Sequence, residues 1–524
     1  MSPMEVPPPS LPDNEPEFVD EEWLSGSVES ILSFYQAEDT LSGRVLPTAF
    51  VRCSRGGKTR ALIEIAQRLK SSAQTAVFFV SFNDFSCIEE WEQADPLAAL
   101  CRRVAFAARR ERHARYKDFA KADVKPHQII EWMGSNPRVL LIDELNLVTS
   151  LSSSSNSSNK LAKFLKINFL VEKHQYFAFS SHVISAVGKL SEYLDSGSDR
   201  SIDIRELPLI HNVLNAMKVF QWPDLDARKA IFYGLVPALI HVARLKESTN
   251  KPYLPFTKRD NAIEACIKNG LVTNKSILCL LANFLTGDKN ILEPLHILMN
   301  TAEEQRLRWI PFHMIEVLKR FIDAPFLDEN ITVALFRINS LFDIFLSAKG
   351  KSGCAWEALF IAVLIIRIVT RKFDEVILPL DPSKEYSLSF NRYFATDKIP
   401  FLDVIKVDDL VSGITKPDKY PHVAIYYPSH ASFTPFDCIV AVYDSENSRR
   451  LYAYELKEGD EIPDNNRCQQ FEACVLVRGQ PPEGKSTSKK QWTFLSKSQI
   501  ADFFGESGKH WTPVEWKRLT SSEQ

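Results

Sequence analysis

No C-x-x-C pair occurs in the chain: the nine cysteines, at positions 53, 87, 101, 266, 279, 354, 438, 468 and 474, are odd in number and scattered. That spacing excludes a zinc ribbon or a redox dithiol and fits reduced core thiols in an intracellular compartment. Long hydrophobic runs are missing as well. The longest, such as Ala358 to Val369, are interrupted or fall short of the ~20 residues of a bilayer span, so membrane embedding is not expected. Charge of one sign is also lacking, because 63 Lys and Arg stand against 66 Asp and Glu for a net −3. Nothing global therefore draws the chain to nucleic acid or membrane, and any basic surface has to be local. There is no internal repeat. The N-terminal MSPMEVPPPSLPDNEPEFVDEEW is proline-rich and acidic, without the basic and apolar regions of a secretory signal. Residues 1–25 read as a disordered lead-in.

What is present is the composition of a globular protein, 45% hydrophobic and 25% charged over 524 residues, long enough for roughly three domains. Leu46 to Val51 is a short apolar run, a glycine pair follows, and Ala61 to Leu69 has helical spacing. Further buried strands are expected at 76–82, 139–142 and 176–179, with a basic helical region over 97–117 and a helix near 161–169. A serine/asparagine tract, 152–159, reads as a flexible insertion. Strands alternating with helices imply a mostly parallel sheet over 26–223. From 224 to 346 helical spacing takes over. Beyond that, a long apolar helix, a hairpin-like strand pair (436–443 and 451–456) and a further helix and strand make a third, α/β region over 347–524.

The stretch VRCSRGGKT holds the end of a phosphate-binding loop, G-x-x-x-x-G-K-[ST], with Arg52 where its first glycine belongs. Gly56 and Gly57 let the backbone approach phosphates, Lys58 reaches the outer ones, and Thr59 supplies a hydroxyl to Mg²⁺. Arg52 is expected to weaken or alter binding without abolishing it. Alone, GGKT reads equally as a glycine turn before a helix. The run VLLIDE supplies the second half of a nucleotide site: Asp143 would hold Mg²⁺ and Glu144 would polarise water. Ser180, Ser181 and His182 end the next strand, either as a γ-phosphate sensor, for which Ser181 is the candidate, or as a polar cap.

A second constellation lies in FTPFDCIVAVYDSENSRRLYAYELKEGD. Alternation puts Glu455 and Lys457 on one face of a strand, and a hairpin turning near 444–449 brings Asp437 alongside. Carboxylates that hold Mg²⁺, here Asp437 and Glu455, beside a lysine are equipment for phosphodiester hydrolysis. E-x-K on a strand is also a common surface ion pair. Glu357, on an otherwise apolar helix, is either an additional metal-site acid or a helix-start charge. Gln469 and Gln470 read first as a polar helix face and second as phosphate or base contacts.

Together these motifs resemble the Crinkler and retrotransposon-hot-spot class, a P-loop NTPase fused to a PD-(D/E)xK nuclease. The resemblance covers about residues 26 to 515. It implies ATP or GTP and Mg²⁺ as cofactors, a C-terminal restriction endonuclease-like domain, DNA as substrate, and a nuclear location in its own or a host cell, with a cytoplasmic one also open. The proline-aspartate pair usual in such nucleases is split here by Phe436, and no LFLAK-type translocation header is seen. DNA affinity would come from local basic clusters, with Arg102, Arg103, Arg109, Arg110, Arg112, Arg115, Lys485, Lys489 and Lys490 as candidates. The run around 101–117 reads either as a solvated basic helix face or as an import signal. Whether identical copies assemble into a homo-oligomer is left open.

Overall fold

A computed structural model describes residues 5–11, 15–39, 44–53, 55–73, 75–82, 88, 90–108, 116–119, 122–149, 155–182, 201–249, 257–288, 290–301, 306–325, 327–347, 352–393, 416–428, 436–457, 471–478, 487–489 and 492–521. The chain divides into two compact units. The first comprises 1–210, 215–223 and 236–253, and the second 211–214, 224–235 and 254–524.

The apolar runs of the first unit are strands buried along their length, as expected for a sheet covered on both faces. In chain order the elements are α1 (Glu21–Gln36), β1 (Thr48–Val51), α2 (Lys58–Ala73), β2 (Ala76–Ser81), α3 (Glu90–Ala94), α4 (Pro96–Ala107), α5 (Tyr116–Phe119), α6 (Pro126–Met133), β3 (Arg138–Asp143), α7 (Asn146–Thr149), α8 (Ser155–Phe169), β4 (Gln175–Ser181) and β5 (Asp203–Glu206), followed by a helix over Pro237–Thr249. The five strands are all parallel, in the order β2-β3-β4-β1-β5.

Two expectations are corrected in this unit. The lead-in is not wholly disordered: Val6, 3% exposed, donates to the Val77 carbonyl at 3.0 Å and accepts from the Phe79 N–H at 2.8 Å. It thereby satisfies the free edge of β2, the exposed backbone that a sheet margin must cover. The serine/asparagine tract is not an insertion along its length either, since residues 155–159 open α8.

In the second unit a seven-stranded mixed sheet runs in the order β13-β14-β12-β11-β10-β9-β8. Its strands are β8 (Ser387–Tyr393), β9 (His422–Pro428), β10 (Cys438–Ser445), β11 (Ser448–Lys457), β12 (Ala473–Arg478), β13 (Thr487–Lys489) and β14 (Trp492–Phe494). β9, β10 and β11 are antiparallel neighbours, and β12 returns parallel to β11. The helix Ser352–Thr370 supplies its core, with Leu359, Phe360 and Leu364 fully buried and Phe360 5.3 Å from Tyr454. Its stretch from Gly353 to Thr370 is apolar enough to cross a bilayer by composition, yet 67% of it is buried inside the protein.

The helical middle section belongs mostly with this sheet because aromatic packing joins it to the C-terminal helices. Phe284 and Phe342 meet Trp511 at 5.0 and 5.6 Å. Gly505, at φ +69°, lies so close to Leu285 that a Cβ there would stand 2.5 Å from its Cα. The small hairpin β6 (Met299–Thr301) and β7 (Leu307–Trp309) is tied in the same way, Trp309 donating its N–H to Ser507 Oγ at 3.1 Å.

Candidate functional site

The GGKT loop sits between the C-terminal end of β1 and the first turn of α2, where parallel sheets carry ligands. Gly57 adopts φ +86°, a conformation that glycine reaches without strain. Lys58, 3% exposed, does not point to solvent. Its ammonium donates to the carbonyls of Arg52 at 3.2 Å and Cys53 at 2.9 Å, bending the loop around itself. Burial pushes the neighbouring Cys53 thiol up.

Asp143 ends β3 opposite this loop, and three hydroxyls converge on it. Thr59 Oγ1 and Ser81 Oγ donate to Oδ2 at 2.8 and 3.0 Å, and Ser180 Oγ donates to Oδ1 at 2.7 Å. Burial, with the Glu144 carboxylate beside it, raises the Asp143 carboxyl to about 6 against the pull of Ser180, Thr59 and Lys58. Sequence reasoning brought Thr59 and Asp143 together but missed Ser81. Of the residues ending β4, Ser180 makes this contact with Asp143, and its Oγ also accepts the Glu144 N–H at 2.8 Å. Ser181 is buried at the end of β4, paired in register with Val51.

Glu144 follows at φ +62°, outside the usual range of a non-glycine residue. Its carboxylate lies 3.5 Å from the Lys58 ammonium and 2.5 Å from His182 Nε2. The acid placed by sequence to polarise water is thus held by the cation placed there to hold phosphate. The site presents hard oxygen donors, Thr59 and Asp143, at the loop's mouth, a donor set that fits Mg²⁺.

The second constellation also comes together. Cys438 pairs with Tyr454 across β10 and β11, which sets Asp437 opposite Glu455. The Asp437 N–H donates to the Tyr454 carbonyl at 3.0 Å. Lys457 Nζ is 2.7 Å from Glu455 Oε1, while Glu455 Oε2 is buried without a hydrogen-bond partner among the described residues. Glu357, in the first turns of its helix, belongs to the same electrostatic cluster. Burial, then Asp437 and Glu455, raise its carboxyl to about 8 against Lys457. Burial and Glu455 raise Asp437 to about 7. Such shifts mark negative charge short of compensation, and an orphaned carboxylate oxygen costs free energy unless something meets it.

Among the described residues no three acidic, histidine or cysteine side chains close on one point as a metal cage. A cation held by Asp437 and Glu455 would be completed by backbone carbonyl, water or phosphate oxygens, as Mg²⁺ commonly is.

One surface reading changes. Arg103 is not available to DNA: it is fully buried, its Nε and Nη2 donating to Glu92 at 2.7 and 2.8 Å and its Nη1 to the Ser81 carbonyl at 3.0 Å. Arg102 lies over Trp91 at 4.3 Å and donates to the Ala122 carbonyl. Arg109, Arg110, Arg112, Arg115, Gln469, Gln470, Lys485 and Lys490 lie outside the described residues.

No protein-family model and no curated protein matches the chain. Among solved structures it is similar to the Walker-type ATPase PABY2304 of Pyrococcus abyssi, 12% identical, over 59% of this chain and 99% of that one, with a TM-score of 0.34. The Aeropyrum pernix ORC1 protein in complex with DNA is 12% identical over 64% of this chain and 85% of its own, with a TM-score of 0.30. The Thermotoga maritima RuvB Holliday junction branch migration motor is 14% identical over 55% and 91%, with a TM-score of 0.25. Superpositions this loose carry no weight beside the loop and its hydrogen bonds.

Proposed function

We propose that the chain binds and hydrolyses a nucleoside triphosphate, ATP or GTP, and cleaves DNA with a divalent-metal-dependent site in its second unit. The observation that carries the nuclease reading is the meeting of Asp437, Glu455, Lys457 and Glu357 in one electrostatic cluster on a mixed sheet. Magnesium there would lower the pKa of a bound water. Asp437 and Glu455 would hold the ion, and Lys457, 31% exposed at its side chain, is placed to meet a phosphate oxygen or orient the nucleophile.

In the first unit the Gly56-Gly57 backbone and Lys58 would bind the phosphates, Thr59 and Asp143 would hold Mg²⁺, and Glu144 would orient the attacking water. Nucleotide turnover would license cutting. This pairing of sites resembles that of Crinkler and retrotransposon-hot-spot proteins, and nuclear DNA is the proposed substrate.

A second reading is a nucleotide-switched DNA-binding scaffold. The hold of Lys58 and His182 on Glu144 favours it, because an acid so engaged turns over slowly. The test of the first reading is nicking of supercoiled plasmid in Mg²⁺ by wild type and by Asp437→Ala/Glu455→Ala. Loss of nicking in a folded double variant is expected, and undiminished nicking removes the assignment.

A further inference from the structure

The loop lacks its first glycine, yet it carries a glycine pair, and the geometry connects the two facts. Arg52 is 5% exposed, its side chain packed inside the loop. A Cβ built on Gly56 would stand 2.2 Å from Arg52 Cγ, 2.6 Å from Arg52 Cβ and 2.8 Å from the Cys53 carbonyl. Two of those three contacts come from the arginine stem, so the residue that forbids a side chain at 56 is largely the one that replaced glycine at 52.

We infer that Arg52 and Gly56 are a matched pair, in which the arginine stem is a positioning residue that holds the phosphate loop in its binding shape. This rests on the nucleotide-binding reading above and deepens it. The stem fills the space under the Gly56 peptide, while the Arg52 main chain is used at both ends. Its N–H donates to the Ser181 carbonyl at 3.4 Å, and its carbonyl accepts from Lys58 at 3.2 Å. The next residue, Gly57, faces Ala238, 3.6 Å from where its Cβ would lie. The loop is therefore packed from below by Arg52 and bordered by Ala238.

The guanidinium reaches Glu206 at 3.8 Å, its own side chain 4% exposed and the glutamate's 38%. Packing of the methylenes against Gly56 is the positioning force, as long basic side chains often supply. Restoring the usual motif glycine at 52 would remove that packing and free the backbone of the loop. Arg52 thus reads as a working part of this loop and not as the mark of a decayed one.

The test measures the affinity of a fluorescent ATP derivative with Mg²⁺ for the full chain, alongside the melting temperature of the nucleotide-free protein. Wild type and Lys58→Ala establish whether the loop binds nucleotide. Arg52→Gly is expected to bind about tenfold more weakly with little change in melting temperature, and Arg52→Met, which keeps a stem, to stay within about threefold of wild type. Gly56→Ala is expected to lose most binding, and Arg52→Gly/Gly56→Ala to recover about tenfold of that loss. The recovery is partial because the Cys53 carbonyl still lies at 2.8 Å.

Equal or tighter binding by Arg52→Gly, or effects of the two substitutions that simply add, overturns the pairing while leaving nucleotide binding standing. Absence of Lys58-dependent binding in wild type overturns both. Should Gly56→Ala fail to fold, the comparison of Arg52→Gly with Arg52→Met still decides.

Discussion

The backbone N–H of Leu456 donates to Asp437 Oδ2 at 2.6 Å, fixing that carboxylate across the hairpin beside Glu455. The bond comes from the residue between Glu455 and Lys457, so the register of β10 against β11 places all three functional groups at once. A slip of one residue would turn Glu455 and Lys457 to the opposite face.

The acid cluster makes the stability of the second unit depend on pH in an unusual direction. Glu357 and Asp437 are raised to about 8 and about 7 in the folded chain, against about 4 for such groups when unfolded. Between those values the folded state holds protons that the unfolded state has released, so stability falls as pH rises. Urea midpoints in EDTA are expected to drop from pH 5.5 to pH 8.5, and millimolar Mg²⁺ to restore much of the loss at pH 8.5. An unchanged midpoint with pH and with Mg²⁺ would contradict the cluster.

Asp143 gives a second pH dependence, acting on binding. With its carboxyl raised to about 6 by burial and by Glu144, it is ionised at pH 7.5 and mostly protonated at pH 5. Mg²⁺-dependent nucleotide affinity is expected to fall as pH drops through 6, whereas binding in EDTA should change less. Affinity measured by fluorescence across pH 5 to 8 separates the two.

Glu144, 3.5 Å from the Lys58 ammonium, would compete with a bound phosphate for it. Glu144→Gln removes that charge, so nucleotide is expected to bind as tightly as to wild type or tighter. Hydrolysis, deprived of the acid that orients water, should slow by about 10²- to 10⁴-fold. Single-turnover hydrolysis beside equilibrium binding measures both, and a parallel loss of affinity and rate would count against this role.

Adjacent arginines are expected to behave very differently. Arg103→Ala strands the buried Glu92 carboxylate, fully hidden with its partner, and releases the Ser81 carbonyl, at a cost of about 3–5 kcal/mol. Arg102→Ala removes a cation–π contact with Trp91 worth about 1 kcal/mol. Denaturant unfolding of the two variants provides the comparison. Similar small losses would mean that the Arg103 network is not what fixes the end of β2.

Much of the first unit was legible because its strands are buried on both faces and therefore appear as unbroken apolar runs, as in AVFFVS and RVLLID. β5 was not: DIRE is half-exposed at the sheet's edge and gains its order from pairing with β1. Lys58, Thr59, Asp143 and Glu144 could be found from motif spacing. Ser81 acts through a contact made across strands, with Asp143, which no local pattern records. Arg103 was misread because a basic helix looks solvated until its acidic partner, Glu92, is known. The edge of the helical section was obscured for a similar reason, since Phe284, Phe342 and Trp511 meet from widely separated stretches. In contrast, Asp437, Glu455 and Lys457 lie in one hairpin whose turn and alternation are local, and there sequence and register agree.

The most direct measurement is the rate of supercoiled plasmid cleavage in Mg²⁺ by wild type, Glu455→Gln and Lys58→Ala, each with and without ATP. Wild type is expected to cut, and faster with ATP; Lys58→Ala should cut at the ATP-free rate whether or not ATP is present, and Glu455→Gln should not cut at all. Cutting by Glu455→Gln at the wild-type rate, or no metal-dependent cutting by wild type under any condition, would contradict a nucleotide-governed nuclease.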